Sequence, residues 1–82
     1  MITVKLFGVL RLDSGSAEFS CQTVENVDAL LPEIATKISV SEKELKNFLI
    51  FVNGKSILSQ KMFRTKLSDG DIVSIMSPVS GG

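Results

Sequence analysis

The chain finishes DGDIVSIMSPVSGG, and its last two residues, Gly81 and Gly82, are the first place to look for chemistry. A carboxylate is a weak electrophile until it becomes a mixed anhydride, and a chain end offers one on the main chain itself. Glycine has no Cβ and wide backbone freedom, so Gly81–Gly82 can thread a channel that side chains would block. Pro78 stiffens the exit from the preceding apolar stretch, which limits the conformations lost when Val79, Ser80 and the glycines are captured.

The remaining residues offer little chemistry of their own. The chain has no His, Trp or Tyr and a single thiol, Cys21. A metal site would have to draw on widely spread carboxylates, and no metal is expected. Nucleophilic catalysis lacks the commonest base and any motif to host it. The chain is therefore expected not to be catalytic alone, to bind no cofactor, and to borrow its catalysts from partners. Cys21, in an apolar stretch, is expected to be a small core residue. Asp69 and Asp71 flank Gly70 as turn formers, and Glu42 and Glu44 as helix-capping, solvated carboxylates.

Eighty-two residues make one domain, and 44% hydrophobic composition is enough for a small packed core. Nine basic residues balance nine acidic ones, for a formal net charge of zero. With charges scattered along the chain, neither nucleic acid nor an anionic membrane is an expected partner. Lys55 and Lys61 could steer an acidic partner, although a solvated surface is the default for such lysines. The opening MITVKLFGVL alternates like a strand rather than a secretory signal, and no apolar run approaches a membrane span. With one cysteine and no disulfide framework, a cytoplasmic setting is the simplest expectation.

The elements that position the tail follow from periodicity. Ile2, Val4 and Leu6 alternate with Thr3, Lys5 and Phe7, which predicts a first strand with Phe7 pointing outward. The turn cluster LDSGS precedes a second strand in AEFSCQ. Val27, Leu30, Leu31, Ile34 and Ile38 recur at helical spacing. Pro32 interrupts that helix: it lies in or near the first turn if Asp28 is the cap, and at a kink if Asn26 is. SEKE has the spacing of a capping box and predicts a short helix or turn over Ser41 to Asn47.

FLIFVN predicts a third strand, with Leu49 and Phe51 outward if Ile50 and Val52 face the helix. Asn53–Gly54 marks a turn. SILSQ is expected as a short edge strand, and KMFRTKL is ambiguous between an irregular segment and one helical turn. IVSIMS is the final strand, with Val73 and Ile75 inward and Ile72, Ser74 and Met76 outward. Strand, strand, helix, strand, short strand, strand is the β-grasp order, an α+β fold with one main crossover helix over a mixed sheet. A ferredoxin-like split β-α-β arrangement is the competitor. Residues 1–77 would form the domain and residues 78–82 a flexible, protruding Gly-Gly tail.

The pattern VKLFGVLR, TVENVDALL, VNG and LSDGDIVSIMSPVSGG spans essentially the whole chain and resembles the small subunit of molybdopterin synthase, a ubiquitin-like sulfur carrier. Where that family usually carries aromatic residues and a Pro-Pro pair before the valine, this chain has Ile75, Met76, Ser77 and Pro78. The resemblance implies that an ATP-dependent activating enzyme adenylates the Gly82 carboxylate and that a sulfur donor converts it to a thiocarboxylate. It further implies that the tail, Pro78 through Gly82, enters a pocket of the synthase large subunit. There the sulfur passes to a cyclic pterin monophosphate, two carriers supplying the dithiolene of the molybdenum cofactor. Thiamine-pathway carriers share the fold and the two glycines, and a ubiquitin-like protein modifier begins with the same adenylation. An outward apolar patch of Phe7, Phe51 and Met76 near the tail is expected to dock these partners.

Overall fold

A computed structural model describes residues 1–8, 10, 12 and 15–77. The tail residues Pro78, Val79, Ser80, Gly81 and Gly82 lie outside the described residues, and with them every expectation placed on the tail.

Alternation in the first residues becomes strand β1 (Ile2–Phe7), with Ile2, Val4 and Leu6 buried. β2 (Glu18–Cys21) pairs with it antiparallel, Ile2 opposite Cys21 and Lys5 opposite Glu18. Helix α1 (Val27–Ile38) starts at Asn26, whose side-chain oxygen accepts the Ala29 N–H at 2.9 Å. The cap is thus Asn26 rather than Asp28, and Pro32 falls inside the helix. Its missing N–H would have bonded the Asp28 carbonyl, but both residues lie on the exposed side, where water can serve that oxygen. The helix stops at Ser39, which adopts left-handed φ and ψ of 56° and 41°.

A one-turn helix, α2 (Glu42–Leu45), follows, with Ser41 Oγ accepting the Glu44 N–H at 3.1 Å as its cap. Strand β3 (Leu49–Val52) turns back through Asn53–Gly54 into β4 (Lys55–Ser56). Both turn residues have positive φ, 51° and 85°, the geometry of a two-residue hairpin whose twist matches its strands. Asn53 also ties this turn to the last strand. Its side chain donates to Asp71 Oδ1 at 3.0 Å and accepts from the Ile72 N–H at 2.9 Å.

The edge strand expected over SILSQ is only partly formed. Pairing ends at Ser56, whose hydroxyl accepts the Leu58 N–H at 3.1 Å and caps a 3₁₀ turn over Ile57–Ser59. That turn buries Ile57, which an extended strand would have carried past the core. KMFRTKL resolves into a second 3₁₀ turn, Met62–Arg64. β5 (Ile72–Met76) closes the sheet, parallel to β1 and antiparallel to β3.

The strand order is β2-β1-β5-β3-β4, a mixed five-stranded sheet with one main helix across one face: a β-grasp, ubiquitin-like fold. Its core is the α1 stripe Val27, Leu30, Leu31, Ile34 and Ile38 against the inner rows of β1, β3 and β5. Burying each such side chain contributes about 1.5–3 kcal/mol. The ferredoxin-like alternative required a second long crossover helix, and α2 has four residues.

Candidate functional site

The two central strands, β1 and β5, run parallel and end side by side. In the sheet register Phe7 stands opposite Met76, and Met76 stands opposite Leu49 on its other side. The three side chains therefore form one row across the face that α1 does not cover, at the strand ends next to Ser77. Phe7 is 44% exposed, Leu49 40% and Met76 38%, against 3%, 2% and 0% for their inward strand neighbours Leu6, Ile50 and Ile75. Three neighbouring apolar side chains held in water by sheet geometry form a surface suited to a protein partner. Gly8 follows Phe7 with φ of 74°, so β1 turns away as soon as the row is complete.

Phe51 is not in that row. It lies two pairs farther along β3, opposite Ser74 on one side and Ser56 on the other, and it is half-buried. Of the residues expected in the patch, the fold brings Phe7 and Met76 together and substitutes Leu49 for Phe51. Sequence parity put Leu49 and Phe51 on the correct face. The β3–β5 register, which no local pattern carries, decides which of the two meets Met76.

Cys21, Asp69 and Asp71 have structural roles. Cys21 is buried, and burial, with the Glu33 carboxylate beside it, pushes its thiol up to about 12. A thiol held in that state is no nucleophile at neutral pH. Asp69 sits in the turn before β5, where it accepts from the Met1 ammonium and from the Thr23 hydroxyl, and these bonds lower its pKa. Asp71 accepts the Ser68 N–H at 2.8 Å, closing the same turn. Among the described residues, no three His, Cys, Asp or Glu gather where they could hold a metal ion. No helix among them is long and apolar enough to cross a membrane.

The sequence pattern of the ThiS family matches residues 4–82, from the second residue pair of β1 through the last glycine. No curated protein matches the chain. Solved structures do. The small archaeal modifier protein 1 of Methanosarcina acetivorans shares 28% identity and a TM-score of 0.78, covering 99% of this chain and 95% of that one. A chain in the complex of subunits 1 and 2 of the molybdopterin-converting factor from Helicobacter pylori shares 25% identity and a TM-score of 0.70, covering 99% and 97%. A chain of the BexX/CysO complex of Amycolatopsis orientalis, at 20% identity, has the same fold over the full length of both chains with a TM-score of 0.78.

Proposed function

The chain belongs to the ThiS family of small ubiquitin-like sulfur carriers, and on that premise we propose that it is the sulfur-carrying small subunit of a molybdopterin synthase. The observation that carries this reading is the exposed row Phe7–Met76–Leu49, which borders the residues leading into the tail. Its likeness to a chain of the two-subunit molybdopterin-converting factor supports the same reading.

In the proposed sequence of events the activating enzyme docks on the row and receives the tail. The Gly82 carboxylate attacks the α-phosphorus of ATP and pyrophosphate leaves. A sulfide-level nucleophile from the sulfur donor then displaces AMP from the acyl carbon, leaving a thiocarboxylate. The synthase large subunit engages the same row and draws Pro78–Gly82 toward its pterin substrate, where the thiocarboxylate sulfur displaces an oxygen substituent and water then cleaves the acyl–sulfur bond, leaving sulfur on the pterin and regenerating the carboxylate. The domain contributes position: its docking row holds each partner beside Ser77, the residue from which the tail departs.

The carrier's own greater likeness to the archaeal modifier protein favours a second reading, in which the same acyl-adenylate is transferred to protein lysines. Mixing the thiocarboxylated chain with the synthase large subunit and a cyclic pterin monophosphate separates the two. Formation of a stable complex and loss of sulfur from Gly82 to the pterin supports the synthase. Isopeptide adducts, or transfer to a thiamine-pathway acceptor alone, overturns it.

A further inference from the structure

A net charge of zero conceals a division. All acidic residues except Asp69 and Asp71 precede Leu45, whereas the stretch from Leu45 to Leu67 carries Lys46, Lys55, Lys61, Arg64 and Lys66 and no Asp or Glu. All five of these cations are exposed. The one ion pair among the described residues joins Met1 and Asp69, so none of the five is neutralised by the fold. Lys46, Lys55, Lys61 and Arg64 are carried by α2's end, the β3–β4 hairpin and the second 3₁₀ turn, beyond the edge of the sheet opposite β2, and Lys66 follows, bridged to Asn26 at the start of α1.

The same edge contains a cleft of about 260 Å³ between β3 and the two turns, lined by Phe48, Ile57, Leu58, Met62 and Phe63 with Lys46 at its margin. Its size is below that of a typical cofactor pocket and suits one or two inserted side chains. Two of its walls are left in water: Leu58 is 67% exposed and Met62 42%. Met62 holds this position with φ of 54°, an unfavourable conformation for a residue with a side chain. The Lys46 ammonium lies 5.7 Å from the centre of the Phe63 ring, so the charge is fixed over the apolar wall. Leu49 lines this cleft and also ends the Phe7–Met76 row, which makes the two surfaces continuous.

We propose that this cleft docks a partner polypeptide segment in which an apolar side chain is flanked by carboxylates. The apolar side chain fills the space between Ile57, Leu58 and Phe63. The carboxylates meet Lys46, Arg64 and the neighbouring lysines, none of which has an ion-pair partner among the described residues. Charge of one sign around an apolar anchor supplies both fast encounter and selectivity against basic segments. The proposal is independent of the tail's chemistry: a chain whose Gly82 carries no sulfur would bind the segment equally well.

The test is an amide correlation spectrum of the ¹⁵N-labelled chain titrated with a blocked Asp-Glu-Phe-Glu-Leu-Asp peptide. We expect saturable shifts confined to residues 46–49 and 57–66, weakening as salt is raised. The affinity should fall about tenfold in a Lys46→Glu/Arg64→Glu variant. Leu58→Ser, at a position too exposed to matter for folding, should weaken it as well, with the rest of the spectrum unchanged. The absence of shifts at millimolar peptide overturns the proposal, as do equal shifts from the charge-reversed Lys-Lys-Phe-Lys-Leu-Lys peptide. Concentration-dependent shifts of the same amides without peptide would make a second copy the occupant and overturn it. A stronger response to phosphatidylserine vesicles or to an oligonucleotide would do so too.

Discussion

Cys21 is the residue whose protonation the fold changes most, and its behaviour was half legible in the sequence. An isolated cysteine in an apolar stretch predicts burial, and the thiol is buried. Burial and the Glu33 carboxylate hold it protonated against the opposing charge of Lys37, and these α1 neighbours come from the crossover and have no local signature. Because the folded thiol titrates at about 12 against an ordinary 9.0, the unfolded chain releases its proton first as pH rises. This contribution to stability is therefore complete below pH 9 and is lost between pH 9 and about 12. Urea denaturation across that range should show a decline that is shallower in Cys21→Ala than in the parent. In the native chain at pH 8 a thiol reagent should react far more slowly than it does after unfolding. Equal rates would mean the thiol is accessible and the burial wrong.

At the scale of elements, strand parity and helix spacing were readable because burial imposes periods of 2 and 3.6 on the sequence. Ends were less readable, since a cap is chosen by competition among neighbouring Asn, Asp and Ser residues. Asn26 prevailed over Asp28 at the start of α1, and the next turn of chain is fixed by bonds from distant segments: Val27 N–H to the Thr65 carbonyl at 3.1 Å, and Leu67 N–H to the Glu25 carbonyl at 3.0 Å. SILSQ failed as a strand because its apolar residue was needed in the core and one hydroxyl sufficed to cap a turn. At the other end of α1, Ser39 pays a conformational penalty in the left-handed region, where glycine would not. Ser39→Gly should raise unfolding stability by about 0.5–1 kcal/mol in chemical denaturation. Destabilisation would show that the Ser39 side chain does something at that cap that the geometry does not reveal.

For the whole molecule, the fold class was legible because element order, chain length and the turn signals left few topologies. The candidate docking surface was legible in its face and in Phe7 and Met76, but not in its third member, since Leu49 rather than Phe51 stands opposite Met76 only by virtue of the β3–β5 register. This gives a comparison internal to one strand. Leu49→Asp should weaken binding of the synthase large subunit by at least about tenfold while shifting Tm little, because the side chain is already largely in water. Phe51→Asp should cost stability instead, as a half-buried ring is replaced by a charge. Isothermal titration and thermal melts of the two variants check both halves, and an unaltered affinity in Leu49→Asp would remove the row from the interface.

Sulfur carriage by Gly82 is read most directly from the intact mass of the chain after incubation with its activating enzyme, ATP and a sulfur donor. The mass should rise by the exchange of one oxygen for sulfur, located by fragmentation on the C-terminal glycine and dependent on ATP. An unchanged mass under conditions in which the enzyme consumes ATP, or sulfur found elsewhere on the chain, would contradict it.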